Sequence, residues 1–189
     1  MTSDQFIHQK VLANGLNVLV HEMPWAQTVS IYIAVKAGPR YEQADAVGSA
    51  HYLEHILFDG SRQYPSKKEI HEAVERRGGY ASAYTSKEYT CYYAKIIYQE
   101  AEFLFPYLRD LVLYPLMDEK DIQKEKGIIS AERRMRRDQP STHIWEMLDK
   151  FSWGSHPVAR ETLGSLASIK NMKKSDLQDY HKRFYHPGN

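Results

Sequence analysis

The chain has 189 residues, of which 26% are Asp, Glu, Lys or Arg, and its formal net charge is +1. That balance gives no reason to expect nucleic acid or an anionic membrane as a partner, and the length is that of one domain able to bury a sizeable core. One cysteine, Cys91, excludes an intramolecular disulfide and reads as a small core residue.

The N-terminal run M-T-S-D-Q-F-I-H-Q-K has no apolar signal core, and no later stretch approaches the length of a membrane span, so a cytoplasmic address is expected. Two strands, Gln5 to Leu12 and Leu16 to Glu22, flank Asn14-Gly15, a two-residue hairpin signal. Thr28 to Lys36 alternates apolar and polar residues, with Val29, Ile31, Ile33 and Val35 on one strand face. A helix is expected from about Ala44 to Phe58. A second runs from Ser66 to Arg77, opened by the Ser66/Glu69 capping box and stopped at Gly78-Gly79. Tyr80 to Ser86 and Glu88 to Tyr98, rich in Tyr, Thr and Ile, read as paired strands. Helices follow at Glu100 to Leu113, Asp118 to Asp138, His143 to Ser152 and Ser175 to Tyr185, with a kink or break expected at Pro106. Strands first and helices later imply an α+β domain: one antiparallel-dominated β-sheet with helices packed against it.

The first helix carries His51-Tyr52-Leu53-Glu54-His55. At about 100° per residue, His51 and His55 lie one turn apart and Glu54 falls on the same face. Two neutral imidazoles at that spacing can grip one zinc ion, and a carboxylate beside them can accept a proton from water. Ala50, Leu53, Ile56 and Leu57 fall on the opposite side as a stripe to be buried. A third ligand is required. Glu125 and Glu132, seven residues apart on one face of the Asp118 to Asp138 helix, are both candidates, and spacing does not choose between them. Three ligands plus a free carboxylate describe an open catalytic site rather than a closed structural one. The Arg133, Arg134, Arg136, Arg137 cluster reads as a solvated helix end. His71 reads as a surface or partly buried helical histidine, His8, His21, His143, His156, His181 and His186 have no partner at metal spacing, and Trp25, Trp145 and Trp153 read as core or interface anchors.

These residues give the chain a resemblance. It is similar to the catalytic N-terminal domain of the pitrilysin, insulin-degrading and mitochondrial-processing-peptidase family, whose zinc peptidases carry H-x-x-E-H. The likeness runs from the Asn14-Gly15 hairpin through A-G-P-R-Y-E and G-S-A-H-Y-L-E-H-I-L-F-D-G. It continues through R-R-G-G-Y-A-S-A-Y-T-S-K-E-Y-T and the two spaced glutamates, to L-G-S near Gly164 and R-F-Y-H-P-G-N. The resemblance implies a single pitrilysin-like domain over residues 1–189, one Zn2+ per chain, and endopeptidase action on peptides or unfolded polypeptides. In the family the third ligand follows the second histidine by 77 positions, which falls on Glu132, and the acid seven earlier, Glu125, supports it. The implied roles are therefore His51, His55 and Glu132 on the metal, Glu54 as general base, and Glu125 as the supporting catalytic acid.

Substrate backbone is expected along Ser82, Ala83 and Tyr84. Ser82 stands where the family usually has asparagine, which implies altered peptide docking. Family members place this domain first of four, and the chain ends where they enter another strand. A second copy or a partner subunit supplying the missing domains is the corresponding expectation. The alternative is a partner-dependent or non-catalytic zinc-binding subunit of a larger complex.

Overall fold

The computed structural model describes residues 6–189, so the expected strand start at Gln5 lies outside the described residues. β1 (Ile7–Val11) and β2 (Asn17–His21) pair antiparallel, Val11 opposite Asn17. Their turn differs from the two-residue type expected. The Gly15 N–H donates to the Leu12 carbonyl at 2.9 Å, Asn14 keeps a negative φ and Gly15 takes φ +88°. A two-residue type I′ turn would need positive φ at both Asn14 and Gly15; here one left-handed glycine closes a longer loop.

This hairpin forms its own two-stranded sheet, which corrects the expectation of a single sheet. Most of its side chains are exposed, Ile7, Val11 and Leu19 among them, so the hairpin is not packed into the core. The second sheet joins β3 (Thr28–Val35), β4 (Tyr80–Thr85) and β5 (Thr90–Ile97) antiparallel in the order β3-β5-β4, leaving β4 at an edge. Alternation sends Val29, Ile31 and Ile33 of β3 and Tyr92, Ala94 and Ile96 of β5 into the core. Tyr32, Tyr80, Tyr84 and Tyr93 pack against one another on the opposite face, Tyr32 stacked on Tyr93 at 5.3 Å.

α1 (Ser49–Leu57), α2 (Lys67–Glu75) and α3 (Ala101–Leu113) cover the inner face; α4 (Glu119–Asp138) and α7 (Lys174–Phe184) pack on α1, and α5 (Pro140–Trp153) and α6 (Leu166–Asn171) pack on α4. The stripe Ala50, Leu53, Ile56, Leu57 is buried, as the period required. α1 begins five residues later than expected, because Gly48 at φ +102° cannot continue a helix backwards. A side chain at Gly48 would also meet the Leu163 carbonyl at 2.6 Å, so this turn and the Gly164 turn nest backbone to backbone. α2 has the expected cap, Ser66 Oγ accepting from the Glu69 N–H.

α3 runs unbroken through Pro106, so the helix does not break there. Pro106 lies on the exposed side, where the carbonyl its ring leaves unbonded meets water. α5 starts three residues before the expected His143, with Pro140 in its first turn, and α6 was not foreseen although Ser165 and Ser168 form its capping box. Trp25, Trp145 and Trp153 are exposed rather than core residues. Cys91 is buried. Among the described residues, no helix is long and apolar enough to cross a membrane.

Candidate metal centre

Three devices fix α1. The Glu42 carboxylate accepts the Gly48 N–H at 2.7 Å and the Ala50 N–H at 2.8 Å, capping donors that the first helical turn leaves free. Burial pushes the Glu42 carboxyl up to about 7, against the pull of those two donors and of Arg160. Tyr52, fully buried, donates its hydroxyl to the Ile122 carbonyl of α4. That bond and the packing of Leu53 and Ile56 hold α1 against α4 and the sheet.

α1 and α4 then place three possible ligands together. One ligand atom from each of His51, His55 and Glu132 lies within 4.8 Å of the others, the one such group among the described residues. Glu132 Oε2 is 3.7 Å from His51 Nε2 and 3.6 Å from His55 Nε2. These separations are too long for good hydrogen bonds. They are close to the roughly 3.3 Å that separates neighbouring ligands held ~2.0–2.1 Å from a tetrahedral zinc. The donor set of two imidazoles and one carboxylate fits such an ion.

Glu125 lies on the other side of His55, with Oε2 at 2.8 Å from Nδ1. The structure thus separates the two acids that spacing left equivalent. Glu132 faces both Nε2 atoms, whereas Glu125 holds the far nitrogen of one ring and so directs its Nε2 towards the cluster.

Electrostatics follow from burial. For the side chains alone, desolvation and the neighbouring His55 push His51 down to about 4, which keeps it neutral. Burial also opposes a charge on His55, but Glu125 and Glu132 outweigh it and raise His55 to about 9. Glu132, facing His55, is held down to about 2, its own burial being outweighed. Burial of Glu125 is likewise overcome by His55, Lys67 and Lys124, which lower its pKa. His51 Nδ1 is a buried atom with no hydrogen-bond partner in the protein.

Glu54 stays outside this cluster. Its Oε2 accepts a 2.5 Å hydrogen bond from Thr85 Oγ1 at the end of β4. Desolvation raises its pKa, and the Thr85 bond partly opposes that shift. Beside it opens a cavity of about 300 Å³ bordered by Glu54, His55, Ser82 and Ala83. Tyr84, the third residue expected along the substrate, is not at this cavity; its ring packs against Tyr89 and Tyr93. Strand alternation turns Tyr84 away from the side on which Thr85 meets Glu54.

The reading of four arginines as a solvated helix end needs correction. Arg133 is 8% exposed, donating to the Gly164 carbonyl and pairing with Glu146 and Glu161, while Arg136 bonds Glu132 Oε1 at 2.9 Å. The missed residues, Glu42, Tyr52 and Thr85, carry no local period. Only Glu42, an acid shortly before a helix start, offers a signal in the sequence.

A model of the insulinase family, peptidase family M16, matches residues 17–166. An uncharacterized zinc protease of Bacillus subtilis is 32% identical over 174 residues, 92% of this chain and 42% of that protein. A probable mitochondrial-processing peptidase subunit beta of Arabidopsis thaliana is 30% identical over 92% of this chain and 33% of its own length. Among solved structures, a protease from Helicobacter pylori superposes with a TM-score of 0.90 at 25% identity, covering 97% of this chain and 44% of that one. Pitrilysin gives 0.83 at 26% identity, over 96% and 20%. The chain spans less than half the length of each of these proteins. It belongs to the insulinase family of M16 peptidases.

Proposed function

We propose that this chain is the zinc-binding catalytic portion of an endopeptidase acting on peptides or unfolded polypeptides. The observation that carries the reading is the convergence of His51, His55 and Glu132, with Glu54 beside them but bound elsewhere. In this reading His51 and His55 Nε2 and one Glu132 oxygen hold the ion. When bound, zinc supplies Lewis acidity, which eases ionisation of water and stabilises charge on the scissile carbonyl oxygen.

The chain's own groups do the rest. Glu54 takes the proton of the attacking water and returns it to the leaving amine; its raised pKa brings it towards the neutral range where such transfer is efficient. Thr85 fixes the direction of that carboxylate. Glu125 keeps the proton of His55 on Nδ1, and so keeps Nε2 free as a ligand. An extended substrate adds to the unpaired edge of β4 at Ser82 and Ala83, its backbone supplying affinity.

A partner-dependent reading has its own support. On α5, Ile144, Met147, Leu148 and Phe151 form an apolar row, and Phe151 is 91% exposed. A further domain of the same family, from a second copy or a separate subunit, is the proposed cover for this row. The cytoplasm is the proposed address. A quenched-peptide assay across protein concentrations, with and without chelator, tests the function. Chelator-sensitive cleavage is expected, rising faster than linearly if assembly is required. Absence of cleavage at every concentration overturns the peptidase reading in favour of a non-catalytic zinc-binding subunit.

A further inference from the structure

We infer that the cavity beside the metal centre selects a substrate residue bearing a carboxylate, and that Lys67 recognises it; this rests on the peptidase reading above. Phe58 and His71 stack at 5.8 Å with an angle of 17° between rings, forming a flat wall. Ala81 and Ala83 on β4 leave the space between that wall and the sheet edge open, within a cavity of about 300 Å³. Such a space admits a side chain longer than alanine.

Charge decides which one. Of the residues bordering the cavity, Lys67 is the one permanent cation and Glu54 the one acid. They occupy different walls: Glu54 is on α1 and hydrogen-bonded to Thr85, while Lys67 opens α2, one turn before His71 on the same helix face. Lys67 is held only loosely by its neighbour. Its Nζ is 3.7 Å from Asp59 Oδ1, but Lys124 approaches that same oxygen more closely, at 3.3 Å. Lys124 also pairs with buried Glu125 at 3.6 Å, so Lys67 keeps one long contact to Asp59, and its half-exposed side chain is free to turn to an incoming carboxylate. The stem of a glutamate would lie along the Phe58–His71 wall with its carboxylate at Lys67.

The test uses the full chain loaded with zinc and quenched peptides carrying Glu, Gln or Lys at each position flanking the scissile bond. The cleavage point is read by mass spectrometry. At one of those positions kcat/KM for Glu is expected to exceed that for the isosteric Gln by about fivefold, as suits one partly exposed charge pair. Lys67→Met should bring that ratio to about 1, and Lys67→Glu should invert the preference towards Lys. Equal treatment of Glu and Gln by the unaltered chain, or a ratio indifferent to both substitutions, overturns the inference. Binding of the same peptides to zinc-loaded Glu54→Gln protein, by fluorescence anisotropy, reads the ratio without turnover. If no peptide is cut, the peptidase reading fails, and the Glu-to-Gln ratio of Kd still decides the selectivity.

Discussion

His55 Nδ1 and Glu125 Oε2 stand 2.8 Å apart across the α1–α4 interface, although 70 residues separate them in the chain. A neutral imidazole can use one nitrogen as donor and the other as ligand, so this contact selects which nitrogen reaches the metal cluster. Glu125→Gln keeps the size of the side chain but removes its charge. Zinc affinity is expected to fall about 10- to 100-fold, the usual cost of losing such a supporting contact. Competition with a chromophoric chelator measures it, and an unchanged affinity removes Glu125 from the site.

Glu54→Gln separates chemistry from metal binding. Hydrolysis should drop by about 10²–10⁴, the contribution of a positioned base. Zinc stoichiometry should stay at one per chain by atomic absorption. Glu132→Gln should do the reverse at the first step, weakening the metal and with it every later readout. If Glu132→Gln binds zinc as tightly as the unaltered chain, the third ligand lies elsewhere.

The Thr85 hydroxyl favours the charged form of Glu54, against the desolvation that raises its pKa. Thr85→Val removes that donor, so the Glu54 pKa should climb further. A base must be deprotonated to act, hence the acid limb of the kcat/KM–pH profile should move to higher pH. Zinc content is expected to be unchanged. An acid limb that stays in place while activity falls would assign Thr85 a packing role only.

In chelator-treated protein, stability should fall as pH rises from about 6.5 to about 9. His55 is raised to about 9 in the folded chain, so its pairing with Glu125 and Glu132 is fully present below its unfolded value of 6.5 and is lost through 9. Allowing for the share counted twice between partners, the loss is about 1–2 kcal/mol, or about 2–8 °C in Tm at this length. Glu132, held to about 2, acts oppositely at the acid end: its contribution is present above 4.5 and lost as pH falls through 2. Saturating zinc should flatten the alkaline trend, because coordination requires neutral imidazole. Thermal melts with and without zinc decide it.

Arg133 and Arg134 are adjacent and should behave differently. Arg133→Met leaves the carboxylates of Glu146 and Glu161 short of a buried partner and should cost about 3–5 kcal/mol. Arg134→Met, on the exposed side of α4, should stay within about 0.5 kcal/mol. Urea unfolding of both variants measures the contrast. Equal effects would mean that the Arg133 cluster contributes no more than a solvated charge.

Much of the local structure was legible along the chain because it depends on near neighbours. The period of two in Val29–Val35, the capping box at Ser66 and Glu69, and the one-turn spacing of His51 and His55 each need only a few consecutive residues. Boundaries failed where a single backbone angle ruled. Gly48 at φ +102° cut α1 short, and Gly15 at φ +88° changed the hairpin loop.

What the sequence by itself determined is the chemistry available: two imidazoles and a carboxylate on one helical face, and two further acids a heptad apart. Helix geometry brings Glu125 and Glu132 to nearly the same face, so only the packing of α4 across α1 could distinguish them. That packing sets Glu132 against both Nε2 atoms and Glu125 against Nδ1. Packing of α4 against α5 and the Glu161–Gly164 segment buries Arg133 while its neighbour stays in water, and packing of α1 on β4 joins Thr85 to Glu54 across 31 residues. Such contacts depend on how whole elements pack, through the burial of Leu53, Ile56, Ile122 and Ile129 in one core. No periodicity within a helix or strand encodes them.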